Sequence, residues 1–166
     1  YKVSGGLHGV GASVVNALSE KMIVEVSRDG YVWKQQYLRG EPTTPVEKTV
    51  TTTKTGTKTT FWPDPEIFTE TTDIDVDVVA TRFREMAFLN KGLKIVLHDE
   101  KGGKEDIFHY EGGIGSYVTY LNQNKTVLFD EPIYIDKTVD GMAVEVAMQY
   151  TDSYNESILS FANNIN

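Results

Sequence analysis

Alternating apolar and polar positions dominate the chain, and three stretches break into helical spacing. "MIVEVS" (22–27) alternates and is closed by Arg28-Asp29-Gly30, a hairpin turn signal, before "YVWKQQYL" (31–38). The threonine-rich run from Val50 to Phe61, "VTTTKTGTKTTF", carries β-branched residues that favour strands. A bend at Lys54-Thr55-Gly56 divides it into two. "LKIVLHDE" (93–100) alternates, turns at Gly102-Gly103 and is expected to pair with "KEDIFHY" (104–110). "IYIDKTV" (133–139) and "MAVEVAMQY" (142–150) flank an Asp140-Gly141 turn, a further hairpin.

The helical stretches are as distinct. Val14, Val15, Ala17 and Leu18, with polar Ser13, Asn16 and Ser19 between them, predict a short amphipathic helix. In "DVDVVATRFREMAFLN" (75–90), Val76, Val79, Phe83 and Met86 recur at three- and four-residue steps. Asp75 stands where an N-cap belongs, and Gly92 where a left-handed terminating residue is wanted. "SYVTYLNQN" (116–124) gives a third helix behind the glycine cluster "EGGIGSY" (111–117). No repeats or low-complexity segments occur. The predicted fold class is α+β, antiparallel strands with helices laid over one face. The last hairpin begins a new supersecondary unit, so domains of 1–112 and 113–166 are expected.

Composition narrows the class without changing the picture. The chain has 166 residues, 40% hydrophobic and 24% charged, ordinary values for a globular protein. No apolar run reaches the roughly 20 residues of a membrane span, so no membrane partner is expected. Cysteine is absent, which excludes disulfides and thiolate metal sites and fits a reducing compartment. The formal charge of −8 argues against this stretch holding a nucleic-acid backbone directly. Residue 1 is Tyr, already inside a patterned segment, and the chain stops at "SFANNIN" without a terminating signal. It reads as an internal piece of a longer protein.

Candidate chemistry concentrates in "YKVSGGLHGVGASVVNALS" (1–19), where Gly5, Gly6, Gly9 and Gly11 stand directly before a helix. Backbone N–H groups at a helix start lack partners and carry partial positive charge. Glycines beside them let the main chain approach an anion closely. The pattern is not a Walker loop, because no Lys-Ser or Lys-Thr follows the last glycine. It also lacks the leading strand and spacing of a dinucleotide fingerprint. On these residues alone a phosphate cradle and a plain flexible helix entry both stand.

The longer string resembles the nucleotide-binding loop of the gyrase, Hsp90, histidine kinase and MutL superfamily of ATPases. "TGTKTTFWPD", "FREMAFLNKGLKIVLHDE", "FHYEGGI" and "FANNIN" follow in the order found in the gyrase B family of type II topoisomerases. The resemblance thus covers essentially the whole chain. It implies a gyrase/Hsp90-type ATPase α/β sandwich, followed from residue 113 by the start of a ribosomal protein S5 domain 2-like transducer domain. It further implies ATP and Mg²⁺ as cofactors, and ATP hydrolysis coupled to DNA strand passage and negative supercoiling. The implied partners are the gyrase A protein in an A2B2 heterotetramer, a second gyrase B protein joined on ATP binding, and double-stranded DNA. The implied location is the bacterial cytoplasm, at the nucleoid.

Residue by residue, the resemblance makes Leu7, His8, Gly9, Val10 and Gly11 the lid whose main-chain amides hold the terminal phosphates, flanked by Gly6 and Ala12. His8 then acts through its backbone, its ring having no catalytic role. Tyr1 matches a tyrosine lining the nucleotide site, and Thr57 a threonine supporting polar groups at the adenine end. Arg28 matches an arginine beside the adenine pocket that contacts aminocoumarin inhibitors. The family's general base, magnesium-binding asparagine and adenine-reading aspartate fall before residue 1, and its γ-phosphate lysine falls after residue 166. No catalytic residue or metal ligand is therefore expected here, and Glu20 and Asp29 are read as solvated charges on helix ends and turns. The alternatives left open are the matching component of topoisomerase IV, a chaperone or mismatch-repair ATPase of the same superfamily, and a non-enzymatic α+β module.

Overall fold

The computed structural model describes residues 9–165. The contacts divide the chain into two units, one through Asp73 and the other from Ile74.

The first unit is built on a long antiparallel hairpin. α1 (Gly11–Ala17) leads into β1 (Ser19–Arg28), which turns back as β2 (Tyr31–Leu38). The turn residues Asp29 and Gly30 both have positive φ, 54° and 81°, as the tight connection demands. β3 (Glu41–Pro42) and β4 (Glu47–Thr51) pair with successive stretches of the outer edge of β2, and β5 (Gly56–Pro63) pairs with the opposite edge of β1. The two strands expected in the threonine-rich run are thus present. They are not partners: one closes each side of the β1–β2 hairpin. β1 is central, so Lys21 stands opposite Leu38 on one side and Trp62 on the other.

α1 forms where predicted, but its amphipathic pattern does not bury it. None of its residues is buried, and Val14, Val15 and Leu18 are exposed. It packs against β1 and is the helix that this sheet carries among the described residues of the unit.

The second unit centres on α2 (Val76–Leu89). The Asp75 carboxylate accepts the N–H groups of Asp77 and Val78 at 3.0 and 3.1 Å, the predicted N-cap. Ala80, Ala87 and Phe88 turn inward, against the hairpin of β6 (Lys94–Asp99) and β7 (Lys104–His109) and against α3 (Gly113–Leu121). Phe88 is 2% exposed. Its ring stacks on Tyr110 at 3.6 Å and Tyr117 at 4.9 Å, with Tyr120 at 5.4 Å. Arg84 lies over the Phe108 and Tyr120 rings. Burial pushes the Tyr117 hydroxyl above its ordinary pKa. α3 starts three residues earlier than its pattern predicts, taking in Gly113, Ile114 and Gly115.

β8 (Ile133–Val139) and β9 (Met142–Met148) form the last hairpin around Asp140 and Gly141. Lys91, just past α2, donates to the Tyr134 hydroxyl on β8 and lies 3.8 Å from the Glu145 carboxylate on β9. The hairpin is therefore tied to the end of α2. Among the described residues, no helix is long and apolar enough to cross a membrane.

Candidate functional site

Of the residues expected to grip phosphate, Gly9, Val10, Gly11 and Ala12 are described. Tyr1, Gly6, Leu7 and His8 lie outside the described residues. Gly9 has φ +66°, a conformation that glycine adopts without a steric penalty. A Cβ placed on it, or on Gly11, would meet nothing within 4 Å. Val10 is the N-cap of α1 and makes no side-chain capping bond. The first bond along the helix runs from the Val14 N–H to the Val10 carbonyl at 2.9 Å. The N–H groups of Gly11, Ala12 and Ser13 are thus left without an acceptor inside the helix. All four described loop residues are exposed. The arrangement is an open row of amides at the positive end of a short helix, chemically suited to an anion.

Thr57 and Arg28 sit on the sheet. Thr57 on β5 pairs with Val26 on β1, and Arg28 follows two residues along the same strand. Alternation puts Val26, Arg28 and Thr57 on one face, together with Tyr31 and Trp33 of β2 and Lys48 of β4. The structure therefore brings these two site candidates to one face, a relation invisible in their separate sequence positions. The Arg28 side chain is 76% exposed and paired at 3.5 Å with equally exposed Asp29, a contact worth little energetically. The Trp33 indole N–H donates to the Arg28 carbonyl at 3.3 Å, holding the strand end. The Lys48 ammonium lies 3.2 Å from the centre of the Tyr31 ring. Glu20 is exposed on β1, a strand position and not a helix end, and Asp29 is exposed in its turn. Among the described residues, no group of three or more His, Asp or Glu side chains is placed to hold a metal ion.

Sequence reasoning missed the ion pairs behind α1. Arg39 Nε lies 2.7 Å from Asp64 Oδ2, and Arg39 Nη2 lies 2.6 Å from Glu66. Hydrogen bonds that its N–H groups donate to Glu66 and Asp64 hold the Arg39 guanidinium above its ordinary pKa. The Asp64 side chain is only 2% exposed, and a buried carboxylate demands such partners. A near-invisible signal was available: a lone acid between two prolines, Pro63 and Pro65, at a strand end.

The family model for DNA gyrase B matches residues 113–166. Over 99% of its length the chain is 59% identical to the DNA gyrase B protein of Clostridium acetobutylicum, and 58% identical to that of Streptococcus pyogenes. Over nearly its whole length the chain is similar to one stretch of DNA gyrase B proteins. It spans about a quarter, 26%, of the length of those gyrase B proteins. Among solved structures, the 43K ATPase domain of Thermus thermophilus gyrase B, in complex with an aminocoumarin, matches with a TM-score of 0.86 and 42% identity. That match covers 95% of this chain and 43% of the other. The gyrase B-subunit of Myxococcus xanthus matches at 0.85 with 26% identity, covering 98% and 50% of the two chains. The α+β fold is that of gyrase B ATPase-domain structures.

Proposed function

We propose that this chain is part of the ATP-binding region of a DNA gyrase B protein, with Gly9 to Ala12 in the lid that closes over the triphosphate. The observation that carries the reading is the 0.86 match to a gyrase B ATPase domain over 95% of the chain. The exposed amides of Gly11 and Ala12 support it chemically, because bare N–H groups can stabilise charge developing on a transferring phosphoryl group. Tyr1, Gly6, Leu7 and His8 complete the lid and its approach in this reading. Thr57 supports the adenine end, and Arg28, on the same sheet face, meets aminocoumarins. Residues 1–112 then belong to the ATPase domain and 113–166 to the transducer, a division favoured by the start of the family match at residue 113.

ATP binding orders the lid and joins two gyrase B proteins into a gate that captures DNA. The whole enzyme, with the gyrase A protein, converts that cycle into negative supercoiling in the bacterial cytoplasm, acting on nucleoid DNA. Magnesium and the general base are supplied by residues outside this chain. The gyrase reading is preferred to topoisomerase IV, because the relatives at 58–59% identity are gyrase B proteins.

The test uses the full-length protein reconstituted with its gyrase A partner. ATP-dependent supercoiling of relaxed plasmid is the expected result, and decatenation without supercoiling would overturn the gyrase reading. The 166-residue chain alone is expected to hydrolyse ATP no faster than buffer. Turnover by it would overturn the placement of the base outside it.

A further inference from the structure

Among the described residues, α1 is restrained at one end only. At its C-terminal end the Asn16 side-chain amide donates to the Gly40 carbonyl at 3.1 Å. The oxygen of the same amide is enclosed without a partner among the described residues, so the Gly40 bond is the one that orients that side chain among them. A Cβ on Gly40 would lie 3.5 Å from the Ala17 Cα, an ordinary van der Waals contact, so the loop lies against the helix, and it is the φ of +88° that favours glycine there. The Leu18 carbonyl accepts the Asp64 N–H at 3.1 Å. Ser19, 1% exposed, returns its hydroxyl to the Val15 carbonyl at 2.6 Å.

These contacts come from two loops, and the loops are tied to each other. Because β1 is central, the end of β2 and the end of β5 both flank its start: Lys21 faces Leu38 and Trp62, and Ser19 faces Pro63. Arg39 and Asp64 are the next residues on either side, and their 2.7 Å ion pair closes the gap. Arg39 holds φ +47°, unusual for a side-chain-bearing residue, with its N–H on the Glu20 carbonyl at 3.3 Å. At the other end of α1, nothing among the described residues packs on Gly9 or Gly11, and none of their side chains caps the helix.

We propose that Asn16, Arg39 and Asp64 form the anchor of the nucleotide lid, positioning residues that fix the pivot about which α1 carries Gly9 to Ala12 onto the triphosphate. This rests on the lid reading above. The lever explains why an anchor matters. A seven-residue helix is about 10 Å long at about 1.5 Å per residue, so a ~10° swing at the pivot moves the first turn by roughly 2 Å. Useful N–H···O distances span only about 0.5 Å. A loosened pivot therefore costs the bonds that the lid makes to terminal phosphate, and leaves the rest of the nucleotide site untouched.

The experiment compares affinities of the full-length protein for a non-hydrolysable ATP analogue and for ADP by calorimetry. Wild type, Arg39→Gln, Asn16→Ala and Arg39→Lys are measured, with melting curves alongside. Expected is a fall of about tenfold in the analogue-to-ADP affinity ratio for Arg39→Gln and for Asn16→Ala, partly recovered in Arg39→Lys. Weaker nucleotide-dependent dimerisation should follow the same order. Variants that keep the wild-type ratio, whether or not they melt earlier, would reduce these residues to structural supports. If Arg39→Gln fails to fold, the Asn16→Ala ratio decides alone. A wild-type protein that binds both nucleotides alike would instead overturn the lid reading, and the anchor with it.

Discussion

Gly9 offers the sharpest test of the lid, because the structure separates backbone strain from steric clash. Its φ of +66° is left-handed, and a Cβ there would touch nothing within 4 Å. A side chain at this position therefore costs only the conformation, about 1–2 kcal/mol for an L-residue in the left-handed region. Nothing among the described residues packs on Gly9, so without nucleotide a Gly9→Ala or Gly9→Val chain can relax to another conformation. Its melting should stay within about 0.5 kcal/mol of wild type. Gripping phosphate requires the left-handed shape again, and the full strain then falls on binding. For the full-length protein, affinity for a non-hydrolysable ATP analogue should drop by roughly 5- to 30-fold. Gly9→Val should be the worst, since β-branching adds to the strain, and its ATP-dependent dimerisation should be lost. Gly9→Asn should lie nearest wild type, because asparagine tolerates this region. Calorimetry gives the affinities and sedimentation the dimerisation. Equal binding by wild type and Gly9→Val would refute the lid. Asparagine as damaging as valine would show that the side chain blocks the ligand and that strain is irrelevant.

Three further outcomes test the fold around the site. Phe88→Ala removes a ring that is 2% exposed and stacked on Tyr110 and Tyr117, and should cost about 3–5 kcal/mol in urea unfolding; a loss under about 1 kcal/mol would refute its place in the core. Asp75→Ala removes the cap of α2 and should cost about 1 kcal/mol, with Asp75→Asn retaining most of it; a neutral alanine would show that the cap contributes nothing. The hydrogen bond with Tyr134 holds Lys91 protonated above its ordinary value against a burial effect in the other direction, aided by Glu145. A raised lysine stabilises fully below its unfolded pKa and loses that contribution as pH rises through the folded value. The stability gap between wild type and Lys91→Met should therefore narrow above about pH 10.4, and a gap unchanged through that range would count against the latch.

The local elements were legible because their causes are local. Asp29-Gly30 and Asp140-Gly141 can take positive φ, so each closes a hairpin whatever surrounds it. Asp75 bonds amides two and three residues away, and α2 starts there on that account. The glycine run before α1 pointed to phosphate for a similarly local reason, the unpaired amides of a helix start. Gly9 and Val10 are exposed, and no side-chain bond caps α1.

What alternation and spacing do not contain is which segments meet across the sheet. The threonine-rich run reads as two strands, yet nothing in it says that β4 and β5 close opposite sides of β1–β2. That depends on which edges remain free once the hairpin has formed. The same register decides that Arg28 and Thr57 share a face, and that Arg39 and Asp64, 25 residues apart, become an ion pair beside Ser19. Residue type announces a turn or a cap, because each is made within a few residues. The anchor behind α1 exists only where two strand ends converge on the start of a third, and that convergence is a property of the folded sheet.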